Sequence, residues 1–246
     1  ILSLPTSTRP KTAAYLGADD PFFTPQIREA EQLLEAGGVK TVLTFDQGHY
    51  QDETTDYTPY VQKAVNSHAD LVLVGSGTPD SISFVKGFKQ QHYNPKAMIF
   101  SSGPDAGAQF TQPIGGTKVA EGLFVPNGGW SPKFNTYQNN QFQAAYIAKF
   151  GGKAADISSD TVQAYSTAQV LQQAVTKVGK IDNAAIMQEL HTDTFNTLQG
   201  PVKFAANGEN SVSVAYLFQW RNGDLTPVYP QNNATENPEY PKPQWP

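Results

Sequence analysis

Between Thr12 and Val125, short apolar runs alternate with stretches spaced as amphipathic helices. This alternation leaves few folds open, because strands separated by crossover helices pair in parallel and a parallel sheet needs helices on both of its faces. The strands read as Thr12–Leu16, Thr41–Phe45, Leu71–Val74, Met98–Phe100 and Leu123–Val125. Most are nearly continuous apolar runs, as expected for strands covered on both sides.

The helices between them begin alike. Thr24-Pro25, Thr58-Pro59 and Thr78-Pro79 each place a hydroxyl at the expected N-cap and a proline at the first helical position. Ile27, Ala30 and Leu34 form one stripe. Val61, Ala64 and Val65 form a second, and Ile82, Val85 and Phe88 or Lys89 a third. Gly37-Gly38 stops the first helix, and Asn94-Pro95 follows the third.

After Pro126 the texture changes. Asn127-Gly128-Gly129-Trp130-Ser131-Pro132 reads as a turn-rich crossing, and a mainly helical stretch follows. Helices are expected over Tyr137–Phe150, along the stripe Ala164, Ala168, Leu171, Val175 and Val178 up to Gly179, and around Ala184–Leu190. A β-rich return follows, Gly200–Phe204 and Val212–Trp220, joined through the turn signal Asn207-Gly208. From Gln231 the tail is rich in Pro and Asn and is expected to drape over the surface or to be disordered. Asn233-Ala234-Thr235 fits a glycosylation sequon.

Composition narrows the partners. With 16% charged residues and a net charge of −5, the chain offers no basic field for nucleic acid or an anionic membrane surface. No run approaches the roughly 20 apolar residues of a membrane span, so this segment is not expected to insert. The absence of Cys points to an oxidising, extracytoplasmic compartment. No charged stretch ahead of an apolar one opens the chain, so an export signal is expected to have been removed.

Patterns for catalysis are missing from the sequence: no G-x-S-x-G elbow, Walker loop or H-E-x-x-H occurs. His49, His68, His92 and His191 never share a helix face at ligand spacing, so neither a metal nor a cofactor is expected. Gly75-Ser76-Gly77 begins like a dinucleotide fingerprint, but Asp80 stands where its third glycine belongs.

What remains is position, since open parallel sheets bind ligands beyond the carboxyl ends of their strands. Asp19, Asp20, Phe22 and Phe23 follow the first strand, and Asp46, His49 and Tyr50 the second. Ser76, Gly77 and Thr78 follow the third, Ser101, Ser102 and Asp105 the fourth, and Trp130 the fifth. Aromatics would give apolar contact, hydroxyls and helix-start amides would orient polar groups, and an acid could pair with an ammonium. Each also has a plainer structural reading. Thr78 caps a helix, Asp19, Asp20 and Asp105 stabilise turns, Trp130 packs across the crossing, and His49 and Tyr50 sit at the surface or rim. One of Phe22 and Phe23 is expected to fill the cleft and the other the core.

The order of Pro10–Tyr15, Asp19-Asp20-Pro21-Phe22, Leu71–Thr78, Gly103-Pro104-Asp105, Glu121-Gly122-Leu123 and Phe218-Gln219-Trp220 resembles the type I periplasmic solute-binding proteins of the leucine/isoleucine/valine-binding group. The resemblance covers nearly the whole chain. It implies an α/β type I periplasmic-binding-protein fold, a Rossmann-like parallel sheet with helices on both faces, with the second lobe complete and the first partial. Residues 10–127 with 211–230 would form the second lobe. Residues 1–9 and 128–210 would belong to the partial first lobe and crossovers, and 231–246 to the tail.

It also implies capture of an amino-acid-like solute by closure of two lobes, delivery to an ABC transporter permease, and no bond chemistry. The location would be periplasmic or extracytoplasmic, with any lipid anchor ahead of Ile1. Carried over by position, Phe22 matches the family's aromatic after the lobe's first strand, and Thr78 falls by the loop that contacts ligand. Asp105 lies in the Gly-Pro-acid motif that pairs with an ammonium, while a gapless register puts Gly103 at that place. The full expected ligand set is Phe22, Phe23, Ser76, Gly77, Thr78, Ser102, Gly103, Asp105 and Trp130. The βαβαβ stretch that holds a ligand carboxylate in family members has no counterpart here. Two rivals remain open: the same fold as a ligand-sensing receptor module, and a Rossmann-like enzyme.

Overall fold

The computed structural model describes residues 1–127 and 129–246. It divides into two compact units, Ile1–Pro126 with Leu217–Pro246, and Asn127–Tyr216. In the first, β1 (Thr12–Ala18), β2 (Lys40–Leu43), β4 (Leu71–Gly75), β5 (Ala97–Phe100) and β6 (Phe124–Asn127) form a parallel array. The sheet order is β10-β9-β6-β5-β4-β1-β2, with the short β3 (His49–Tyr50) added beside β1. β9 (Tyr216–Arg221) and β10 (Asp224–Tyr229) close it as an antiparallel hairpin. From β1 the chain steps one way to β2 and then the other way to β4, so the order reverses between β1 and β4.

Strand alternation sorts the core into two faces. Ala14, Leu16, Val72, Val74, Met98 and Phe100 point to one side. There α3 (Thr58–Ser67), α4 (Thr78–Gln90), α5 (Ala108–Ile114) and α6 (Thr117–Ala120) bring Val61, Phe84, Val85, Phe88, Phe110 and Val119. Ala13, Tyr15, Leu71, Leu73 and Ala97 point to the other side, against Ile27 and Leu34 of α1 (Phe23–Ala36) and Phe45 of α2 (Phe45–Gly48). On that second face a mostly apolar cavity of about 430 Å³ lies among Ile1–Leu4, Ile99, Phe124, Leu217, Val228 and Tyr240.

Several local expectations are corrected. The Thr-Pro pairs sit inside their helices rather than at the caps: the N-cap residues are Phe22, Tyr57 and Gly77. The first two starts are held instead by aspartates, with Asp20 Oδ1 accepting the Phe22 N–H at 2.7 Å and Asp56 Oδ1 the Thr58 N–H at 2.9 Å. Proline is tolerated one or two places further in because the first-turn amides have no intrahelical acceptor. In α4 the buried face is Ser81, Phe84, Val85 and Phe88, with Ile82 to the side. The second strand ends at Leu43 because Thr44 and Gln47 form a capping box that opens α2.

The start of the chain and its tail pack on the sheet unit. Arg9 donates to the carbonyls of Leu2, Leu4 and Gly37, which holds residues 1–9 there. The tail is ordered: Lys242 N–H bonds the Lys96 carbonyl at 2.7 Å, and Trp245 Nε1 bonds the Tyr93 carbonyl at 2.8 Å.

The second unit holds α7 (Asn139–Phe150), α8 (Ser159–Val178), α9 (Asn183–Thr192) and the hairpin of β7 (Phe195–Thr197) and β8 (Gly200–Val202). The expected α8 stripe holds only at its end, where Val175 and Val178 pack partly buried on the core; Ala164, Ala168 and Leu171 are exposed, while Val162, Ser166, Gln169, Val170 and Ala174 are buried. A polar residue can lie inward here because Gln169 Oε1 accepts the buried Leu198 N–H at 2.9 Å. The expected return through Asn207-Gly208 shrinks to one bridge, Phe204 to Asn210, and Tyr216–Arg221 pairs with β10 instead.

Candidate functional site

The reversal between β1 and β4 opens a crevice at their carboxyl ends, the place where this class of sheet receives ligands. One lip is the loop after β1. Asp20 caps α1 and turns Phe22 outward, 66% exposed, with its ring 5.2 Å edge-on from Phe23. Phe23 packs on the core, which resolves the two phenylalanines as one outward and one inward. Asp19 is exposed, and its N–H donates to the Tyr50 carbonyl at 2.7 Å.

The other lip joins the loops after β4 and β5. Ser76 is fully buried, its N–H donates to Ser101 Oγ at 2.9 Å, and its Oγ lies 2.8 Å from Ser81 Oγ. Ser81 Oγ donates in turn to the Ser102 carbonyl at 2.7 Å. Ser76 therefore stitches the two loops together from beneath. Gly77 caps α4, and Thr78 opens it half-buried. Among the described residues, neither the Thr78 nor the Ser102 hydroxyl makes a hydrogen bond.

Gly103 sits at φ +110°, where a Cβ would come 2.5 Å from Ser81 Cβ, so a larger residue fits neither the backbone nor the space. Its N–H donates to Asp105 Oδ1 at 3.1 Å, an engagement within the acid's own turn. Trp220 Nε1 anchors that turn through the Pro104 carbonyl at 2.8 Å.

Trp130 is buried in the second unit among Phe142, Ile157, Val162 and Leu198, with Nε1 donating to Asn139 Oδ1 at 2.8 Å. Its apolar surface is already covered, as core packing requires. Gly128, part of the expected crossing, lies outside the described residues. Tyr50, read as surface or rim, is 1% exposed. Asp46 forms an exposed pair with Arg28 at 2.6 Å, and His49 lies half-buried with its ring 5.9 Å from Phe45.

Asp80 and Tyr57, at the site's edge, are given no site role by the sequence alone. Asp80 accepts the Tyr50 hydroxyl at 2.8 Å and the Tyr57 hydroxyl at 2.7 Å. Burial, then the adjacent Asp80 charge, holds the Tyr50 phenol well above its ordinary range, and burial and the bond to Asp80 do the same for Tyr57. The signal the sequence offers is Asp80 in the first turn of a helix, a position that favours an acid.

The loops at this edge, residues 19–23, 46–57, 76–80 and 101–107, carry several carboxylates and no Lys or Arg. Among the described residues no group of His, Asp and Glu is arranged to hold a metal ion.

A family model described as periplasmic binding protein matches residues 5–224. The chain belongs to the periplasmic binding protein family. Within it, the chain is 27% identical over 232 residues to a Leu/Ile/Val-binding protein homolog 7 of Brucella melitensis, covering 90% of this chain and 55% of that one. This periplasmic binding protein chain thus spans about half the length of the curated relatives it matches. Its fold is like that of an extracellular ligand-binding receptor from Rhodopseudomonas palustris, with TM-score 0.73, 22% identity, and coverage of 90% of this chain and 64% of the other. A branched-chain amino acid transporter substrate-binding protein from Streptococcus pneumoniae, solved in complex with isoleucine, gives 0.72 at 17% identity, covering 97% and 62%. The expected α/β periplasmic-binding fold is therefore present, and relatives of this family are solute-binding proteins rather than enzymes.

Proposed function

We propose that this chain is the greater part of an extracytoplasmic solute-binding protein of an ABC importer, binding a small amino-acid-like solute and passing it to the permease without bond chemistry. The observation that carries the reading is the crevice at the β1/β4 reversal. An outward Phe22 faces solvent on one lip, and the Thr78 and Ser102 hydroxyls lie on the other. An aromatic side chain presents about 200 Å² for apolar contact, on the order of several kcal/mol at about 25 cal/mol/Å² before ordering costs. The loops' excess of carboxylates over cations favours a solute that carries an ammonium or amide N–H. Gly77 and Gly103 let the backbone approach such a solute, and Asp105 is the acid the family pattern assigns to an ammonium. In the longer protein the remaining lobe would hold the solute's carboxylate, and a lipid anchor would lie ahead of Ile1.

A thermal-shift screen with amino acids, small amides and aromatic acids tests this. A saturable rise with one class, and a solute recovered chemically unchanged, supports a binding protein. Absence of any shift in the longer protein across the whole panel sinks the reading.

A further inference from the structure

Tyr50 joins the two lips of the crevice through a single residue. Its carbonyl accepts the Asp19 N–H at 2.7 Å, in the loop that carries Phe22. Its hydroxyl donates to Asp80 Oδ2 at 2.8 Å, in the turn of α4 that carries Thr78. The backbone of Tyr50 is fixed because β3 pairs with β1 at Ala18. Its ring is fixed because Tyr57, Tyr60 and Phe84 surround it at centroid distances of 5.4, 5.3 and 5.7 Å. Asp80 is held from its other oxygen by Tyr57, so the far end of the bridge cannot swing freely.

We propose that Tyr50 is a positioning residue for solute binding: the bridge Asp19–Tyr50–Asp80 sets the separation of Phe22 from Thr78, and so the width of the space a solute enters. This rests on the solute-binding reading above. A solute that closes between an aromatic ring and a helix start depends on that width to within a fraction of an ångström, because packed contacts weaken steeply as a gap opens. Tyr50 itself is buried and touches no solute.

Tyr57 supplies a matched control. Its hydroxyl bonds the same carboxylate, but its backbone lies at the start of α3 and makes no bond to the β1 loop. Tyr50→Phe and Tyr57→Phe therefore each remove one phenol-to-carboxylate bond, and only the first cuts the bridge. With L-isoleucine or benzoate as probe, whichever the wild-type chain binds, Tyr50→Phe should weaken affinity about tenfold, as for loss of a hydrogen bond to a charged group, and Tyr57→Phe less than about twofold. Equal losses for the two variants would mean a purely structural role and overturn the proposal.

Amide hydrogen exchange without solute gives an independent arm. Tyr50→Phe should speed exchange of the Asp19 amide and of residues 77–81, whereas Tyr57→Phe should affect only the α3 and α4 starts. An unchanged Asp19 amide in Tyr50→Phe overturns the bridge whether or not any probe binds. If wild type binds neither these probes nor any solute of the wider screen, the proposal falls with the solute-binding reading, even where the exchange pattern shows the bridge.

Discussion

Phe22 stands at the carboxyl edge with two thirds of its surface open, and a folded chain gains little from leaving an aromatic there. Phe22→Ala should leave the unfolding midpoint almost unchanged and weaken solute affinity about tenfold or more, measured by calorimetric titration. Gly103→Ala should behave oppositely. Forcing a side chain into a left-handed backbone against Ser81 should destabilise the sheet unit by about 2 kcal/mol or more, read from urea unfolding. Lys242 is the third telling residue. It is only 4% exposed, and its Nζ lies 3.6 Å from the Trp245 ring centroid and 2.8 Å from the Pro243 carbonyl. Burial pushes its ammonium down to about 7 from 10.5. Between these values the unfolded chain binds more protons than the folded one, so stability rises with pH across that window and is lowest below 7. Lys242→Met should remove that rise and raise the midpoint at pH 6, as thermal melts at pH 6 and 9 would show.

At the scale of elements, the two units reached their order by different routes. Strands such as Leu71–Gly75 were legible because both faces of a parallel strand are covered, which leaves an uninterrupted apolar run. The helices α1 and α3 were legible for a similar reason, with Ile27, Leu34, Val61 and Ala64 falling where their spacing put them. α8 was not. Its inward face carries Gln169, whose amide satisfies β7–β8 backbone, and a reading by apolar spacing turns the part of the helix before Val175 the wrong way. Gln169→Leu should leave the buried Leu198 N–H without an acceptor and cost about 1–3 kcal/mol, seen as a lower urea midpoint of the second unit. The β9–β10 hairpin was missed although its turn, Asn222-Gly223, with φ 55° and 81°, is the same Asn-Gly signal as Asn207-Gly208, because the strand after it, Asp224–Tyr229, carries an Asp and a Pro that weaken its reading as a strand. At the site, the carboxyl-edge rule found both lips. It placed Tyr50 only at the surface or rim, because the residue's bridging role depends on β3 pairing with β1 and on Asp80, 30 residues further along the chain.

For the molecule as a whole, separate cores imply separate reporters. Trp130 lies in the second unit, while Trp220 and Trp245 lie in the sheet unit. Fluorescence of single-tryptophan variants should give non-coincident denaturation midpoints, and coincident curves would show that the units unfold as one. The family membership and the crevice belong to this scale too, since neither follows from any one residue. The docked tail has a practical corollary. Lys242 and Trp245 fasten the last residues beside Lys96 and Tyr93, at the amino ends of the strands, while the crevice lies at their carboxyl ends. A biosensor chip that grips the molecule through Pro246 would therefore leave the crevice facing the flow, and a dye attached there would report on the fold without obstructing the solute.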